Sequence, residues 1–441
     1  MCGLWGLGDA RAATVEVISP TGLRAWLIED HQAPVLTLGF RFAGGSAEDP
    51  EAKEGLAHAA AEMFFQSGGE LDADAYLQRW SEIGAEFDIE ARMQSLRGTV
   101  RVLTSDRAKA MDLLSLALNA PRFDASSLDQ IRDQIGAEID RDADDPEAFA
   151  YLAYDRLGYG SHPRARPVAG TRQSIARLSA ADLATYRQRV MARDGLSLAA
   201  IGDITPDELG RLLDRVFAGL PAHGATTHIA APAPTVAKRQ NLTMASSQAE
   251  VVFGLSLPGL SEHEQLAAEL INYTLGGSAF TSRLYREVRE KRGLAYSIGT
   301  TFDCYSFMTE VSGSFGSAPE TVEQAIGIVR QEFQGLAAHP PTDAEIEEAK
   351  VALAGQYLRG LIRQADMANE LTLRMGQGKP MNYIQTYAKQ LADVSPRDVR
   401  ALAKRIPWLE RLVIVTIGGP NALGTPLGDK SQLHQPQAKE P

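Results

Sequence analysis

The strongest constraint in this sequence is that it says the same thing twice. Residues 174–203 read SIARLSAADLATYRQRVMARDGLSLAAIGD, and residues 390–419 read QLADVSPRDVRALAKRIPWLERLVIVTIGG. Each has a hydrophobe, a Ser, two residues, an Asp, a short helical stretch and an apolar strand ending in Gly. Asp182 aligns with Asp398 and Gly202 with Gly418, both at an offset of 216, so the match needs no gap. Ser179 and Ser395 stand where a hydroxyl accepts from the free N–H groups of a first helical turn. Two more pairs follow. Phe123-Asp124-Ala125 opens a long helix running to 139, and Thr342-Asp343-Ala344 opens another running to 357. Ala61-Glu62-Met63 before Gly68-Gly69 resembles Ala268-Glu269-Leu270 before Gly276-Gly277. Three matches in one order imply a duplicated unit.

A chain of 441 residues has room for both copies as domains with their own cores. Residues 219–238, GLPAHGATTHIAAPAPTVAK, are rich in Pro, Ala, Gly and Thr without hydrophobic period, and read as a linker. The expected organisation is a start over 1–13, an N-terminal domain over 14–218, the linker over 219–238, a C-terminal domain over 239–420, and a disordered tail over 421–441. Alternation predicts strands over 23–28, 35–42 and 98–103, with helices over 55–66 and 73–83 and an apolar helical stripe over 111–118. Strand pairs followed by helices predict an α+β fold. It comprises two homologous layered α/β-sandwich domains in tandem, each an antiparallel-rich sheet covered by helices, rather than a doubly wound parallel sheet.

Charge narrows the partners. Lys and Arg number 44 against 56 Asp and Glu, a net charge of −12, which argues against nucleic-acid phosphate or an anionic membrane surface as partner. No apolar run approaches the roughly 18 residues of a membrane-spanning helix. Two cysteines, Cys2 and Cys304, cannot build a disulfide framework and leave the redox compartment open. The start, MCGLWGLGDARAAT, lacks the basic beginning of an export signal, but Ala10-Arg11-Ala12 fits a small-residue cleavage site. A disordered start and the remnant of an export signal both stay open, with export, and so a periplasmic location, the favoured of the two. No G-x-S-x-G elbow is present, and Gly376-Gln377-Gly378-Lys379-Pro380 lacks the spacing and the Ser/Thr of a phosphate loop. Apart from His58, the histidines, His31 among them, show no ligand-type spacing.

Residues 55–68, GLAHAAAEMFFQSG, place His58, Ala61 and Glu62 along one helix. This stretch resembles the zinc helix of the insulinase/pitrilysin family, the inverted-zinc metallopeptidases, where G-L-A-H-x-x-E-H-M is usual. In an H-x-x-E-H helix two histidines four apart share a face and bind zinc, and the Glu between them activates the bound water. The resemblance puts His58 at the first ligand place, Ala61 at the base and Glu62 at the second histidine; Glu138, 76 residues after Glu62, falls at the distant acidic ligand. Alanine has no group that takes a proton. His58 then reads as a helix residue left from an ancestral site. The alternative is that His58, Glu62 and Glu138 still hold a metal through one nitrogen and two carboxylates.

The second half keeps a different signature. Residues 276–298, GGSAFTSRLYREVREKRGLAYSI, resemble the family's second-domain motif with its run S-R-L-x-x-x-V-R-E-x-x-G-L-A-Y, without a gap. The family's Arg/Tyr pair maps onto Arg289 and Tyr296. The resemblance implies that Arg289 positions a peptide through its carbonyl groups and that Tyr296 donates to the oxyanion forming at the scissile carbonyl. The residue chemistry allows both, since a guanidinium offers a rigid fork of donors and a phenol donates well where water is excluded. From composition alone, Arg286, Arg289 and Arg292 would be a solvated basic face with Glu287 and Glu290, and Tyr296 a core residue. Gly276 and Gly277 before Phe280 read either as a short flexible loop, which the resemblance implies borders the substrate cavity, or as an ordinary helix C-cap.

Residues from about 14 to 420 resemble the family's two-domain subunits. In its heterodimers, such as mitochondrial processing peptidase and some bacterial pairs, one subunit holds zinc and the other lacks it. The expectation is a zinc-less, inactive subunit of a heterodimeric metallopeptidase, with no cofactor of its own. Zinc would sit in a homologous partner with an intact H-x-x-E-H, and substrates would be unfolded peptides held extended, by strand addition to a sheet edge. The alternatives are a stand-alone zinc peptidase using His58, Glu62 and Glu138, and a purely structural scaffold subunit.

Overall fold

Two six-stranded sheets carry the duplication. The structure, a computed structural model, describes residues 13–64, 66–418 and the backbone of 425–426. Cys2, Ala10-Arg11-Ala12, the start over 1–12 and the rest of the expected tail lie outside the described residues. The first sheet holds β1 (Thr14–Ile18), β2 (Arg24–Glu29), β3 (Val35–Ala43), β4 (Glu86–Ala91), β5 (Ser95–Leu103) and β6 (Leu196–Gly202), in the order β1-β2-β6-β3-β5-β4. The second holds β7 (Lys238–Thr243), β8 (Ala249–Leu257), β9 (Ile298–Cys304), β10 (Thr309–Ser317), β11 (Val413–Gly418) and β12 (Thr425–Pro426), in the order β12-β7-β11-β8-β10-β9. Five strands of each sheet repeat in order and polarity. β2 and β6 run parallel, as do β7 and β11, and the other neighbours in those five are antiparallel. The sixth strands differ: β1 is antiparallel to β2, and β12 is parallel to β7. This is the mixed, layered α/β fold expected from the sequence.

Local chemistry fixes the repeated passage. Ser179 accepts from the Asp182 N–H while Asp182 accepts from the Ser179 N–H, which closes a capping box on the helix Ala180–Val190. Ser395 caps the helix Pro396–Arg405 through the Asp398 N–H. Each satisfies donors that the first turn leaves open.

The compact units do not follow a single cut through the sequence. Among the described residues, one comprises 13–135 with 174–227 and 359–385; the other comprises 136–173, 228–358 and 386–418. Each therefore takes a helix from the opposite half of the sequence. In the first unit, Leu36, Leu38, Phe40 and Phe42 of β3 are fully buried on one face. There Phe40 meets Phe217 of the helix Pro206–Phe217, with ring centroids 5.9 Å apart. The other face of β3 takes the helix Gln364–Gly376: the Thr37 hydroxyl donates to Gln364 Oε1 at 2.9 Å. A Cβ on Gly39 would lie 2.9 Å from the Ala368 Cβ and 3.2 Å from its backbone, so only glycine lets this helix settle so close to the strand.

In the second unit Phe253 of β8 packs on Phe333 of the helix Val322–Ala338 at 5.9 Å. The helix Pro146–Tyr159 lies on β8 and β11. It brings Tyr154 and Tyr159 to Glu310, which is fully buried on β10. Their hydroxyls donate to Glu310 Oε1 at 3.0 and 2.7 Å. Arg164 donates to Oε2 from Nε at 3.2 Å and from Nη2 at 2.9 Å, and its Nη1 meets Asp155 at 2.6 Å. Two carboxylates thus share one largely buried guanidinium. Burial, joined by the Glu310 charge and opposed by Arg164, pushes the Asp155 carboxyl up to about 7. The cluster ties the helix to the β9–β10 hairpin, and β9 follows directly on Tyr296.

Candidate active site

The Arg289 and Tyr296 region is built by two π-helical turns, a geometry that recurs at functional sites. The helix Glu262–Asn272 ends in one, over Tyr273–Gly277, and a second spans Tyr285–Glu290. Gly276 is buried in the first turn, where an added Cβ would lie 2.6 Å from Thr300 Oγ1 on β9. Neither Gly276 nor Gly277 has positive φ. Of the two readings, flexible loop and helix C-cap, neither is the geometry seen: the segment is a packed turn pressed on the edge strand, where glycine serves close approach. Phe280, just beyond it, is 72% exposed.

Glu287 takes the two cations that follow the second turn. It pairs with Lys291 at 2.5 Å and with Arg292 at 2.6 Å, and these bonds hold its carboxyl below the usual range. Among the described residues no carboxylate pairs with Arg289. Its guanidinium lies between two phenol rings instead, 5.0 Å from the Tyr285 centroid and 5.3 Å from that of Tyr296. Stacking of this kind is worth ~0.5–1 kcal/mol at an exposed site and fixes the plane of the fork. Gly293, with φ of 62°, reverses the chain between Arg289 and Tyr296. Phe280 meets Tyr285 edge-on at 5.5 Å. The result is a ladder of Phe280, Tyr285, Arg289 and Tyr296, all within the second unit. Tyr296 is 84% exposed, so it is no core residue. Sequence reasoning missed Tyr285, although its place four before Arg289 on a helical segment was a usable signal.

His58, Ala61 and Glu62 lie on the helix Leu56–Phe64 in the first unit. Sequence reasoning also missed what starts this helix. The carboxylate of buried Asp49 accepts from Gly55 N–H at 3.0 Å and Ala57 N–H at 3.1 Å. His58 and Glu62 are half-buried and one turn apart, and Ala61 is 1% exposed. Glu138 is half-buried on the helix Ala125–Asp144, beyond the point where that helix passes into the second unit. A hydrolytic zinc site does not fit these residues, because a buried methyl group stands where the water-activating carboxylate belongs. Among the described residues no three or more His, Cys, Asp or Glu side chains are grouped to hold a metal ion.

Comparison with known proteins decides the family. The model described as Insulinase (Peptidase family M16) matches residues 24–172, and that described as Peptidase M16 inactive domain matches 177–353. The chain belongs to the M16 peptidase family. An "uncharacterized zinc protease" of Mycobacterium leprae is 27% identical to this M16 chain over 414 residues, covering 90% of each. A "non-peptidase homolog", YmxG, of Helicobacter pylori is 22% identical and covers 90% of this chain and 92% of its own. The crystal structure of a peptidase M16 inactive domain from Pseudomonas fluorescens superposes with a TM-score of 0.86 at 26% identity, over 94% of this chain and all of the other. Among the described residues of the M16 chain no helix is long and apolar enough to cross a membrane.

Proposed function

We propose that this chain is the zinc-less subunit of a heterodimeric M16 peptidase, which presents Arg289 and Tyr296 to a peptide held at its partner's zinc. One observation carries the reading. The guanidinium of Arg289 is stacked beside an exposed phenol and, among the described residues, pairs with no carboxylate, while the first-half helix has a buried methyl where a base is needed. A phenol this exposed donates mostly to water in the lone chain. It becomes useful to an oxyanion only when a second surface closes over it and excludes water. Arg289 then holds the carbonyls of an extended, unfolded peptide, and β9, the edge strand beside this ladder, offers unpaired backbone groups for strand addition.

The test is reconstitution with a homologous subunit that carries an intact H-x-x-E-H. Arg289→Ala and Tyr296→Phe should each lower kcat/KM of the pair while leaving its assembly intact. Should both leave kcat/KM unchanged, the chain is a scaffold instead. Stoichiometric zinc on the lone chain, with activity that a chelator removes, would make it a stand-alone peptidase.

A further inference from the structure

A cleft of about 600 Å³ opens on the first unit at the ends of the parallel strands β2 and β6. It lies in the opposite unit from the Arg289 ladder and shares no residue with it. Its floor is aliphatic: Ile28, Ile201 and Met367, with Ile201 5% and Met367 6% exposed. Its rim is acidic, with Glu29 and Asp30 as neighbours in sequence. His31 completes that rim. Its Nε2 meets Glu29 Oε1 at 2.7 Å and its Nδ1 meets Asp203 Oδ1 at 2.6 Å.

The imidazole therefore occupies the place of a cation. Bonds from Asp203 first and Glu29 second raise its pKa, and the same bond, with that of Thr104 at 2.8 Å, holds the Asp203 carboxyl down. Arg107 is the other nearby cation. It is committed to Glu208 and to the Asp203 carbonyl at 3.3 Å. Glu29 and Asp30 thus line the cleft's end, and His31 is the cation bonded to Glu29 there, its other nitrogen tied to Asp203 beside the cleft.

We propose that this cleft binds an alkylammonium group, with its aliphatic chain on Ile28, Ile201 and Met367 and its charged end at Glu29 and Asp30 in competition with His31. Apolar walls with a few convergent polar groups are the usual make-up of a ligand cleft, and a cleft of this volume is in the usual range. The same chemistry is offered by a free amine and by a lysine side chain. An alkyl carboxylate meets the wrong charge, and methylammonium has no chain for the floor.

Calorimetric titration of the full chain with n-hexylammonium tests this, with hexanoate and methylammonium as controls. The ammonium should bind at least tenfold tighter than either control. Its affinity should rise with pH as His31 loses its proton, because Glu29 is then released to the ligand. Glu29→Gln combined with Asp30→Asn should weaken binding at least tenfold. His31→Gln should keep binding and lose the pH dependence. A lysine peptide, acetyl-Leu-Lys-Leu-amide, run beside the free amine tells which source the cleft prefers. No binding at millimolar concentration, equal binding of hexanoate, or an unchanged pH profile in His31→Gln each overturns the proposal. None of these readouts depends on peptidase activity.

Discussion

Removing the Glu310 carboxylate should be among the most damaging single changes to the second unit. The side chain is fully buried and takes four hydrogen bonds, two from tyrosines and two from Arg164. Glu310→Ala leaves the Tyr154 and Tyr159 hydroxyls without this acceptor and leaves Arg164, whose side chain is only 15% exposed, with Asp155 as its one carboxylate. Breaking a buried pair from one side costs about 3–5 kcal/mol, because the remaining charge stays in a place it cannot be hydrated. At roughly 2–4 °C per kcal/mol for a unit of this size, the melting temperature should fall by about 6–20 °C. Thermal unfolding followed by circular dichroism reads this directly. The combined change Asp155→Asn, Arg164→Met and Glu310→Leu removes every charge of the cluster and should recover most of the loss. A fall of under about 2 °C for Glu310→Ala would show that the cluster does not hold the exchanged helix to the β9–β10 hairpin.

Three further outcomes follow from the same structure. Asp155 has a raised carboxyl pKa of about 7, so between about 4 and 7 the folded chain binds more protons than the unfolded one. Stability should fall as pH rises through that window, and Asp155→Asn should flatten the fall in a pH series of unfolding curves. Gly39→Val should cost about 1–3 kcal/mol by overpacking against Ala368 and should expose 359–385 to protease, as read by cleavage mapping. Asp49→Ala should cost about 0.5–2 kcal/mol through loss of the cap on the helix Leu56–Phe64, measured by urea unfolding.

Much of this architecture is written locally, and that part is legible in the sequence. Ser179 with Asp182 and Ser395 with Asp398 are contacts across three residues, so the repeated helix starts follow from the letters alone. The exchange of helices is not legible in this way. The apolar face of the helix Gln364–Gly376 says that it is buried, but its partner Thr37 is 327 residues away. Glu310 reads as an ordinary strand residue for the same reason, since its partners lie 146 to 156 residues upstream. At the Arg289 ladder the motif marked the positions, but the stacking depends on a π-helical turn and on the reversal at Gly293. The place of His31 is not legible in the sequence, because its two carboxylates lie 2 and 172 residues away, a spacing that no ligand pattern contains.

The central claim is that the two halves of a peptidase site reside on two chains. The most direct measurement is peptide hydrolysis by this chain alone, by its H-x-x-E-H homologue alone, and by the two mixed. Activity should appear only in the mixture, and Tyr296→Phe should reduce it by about 10²–10³-fold, the usual effect of removing one oxyanion donor. Full activity from this chain alone, or from its homologue alone at the rate of the mixture, would contradict the account.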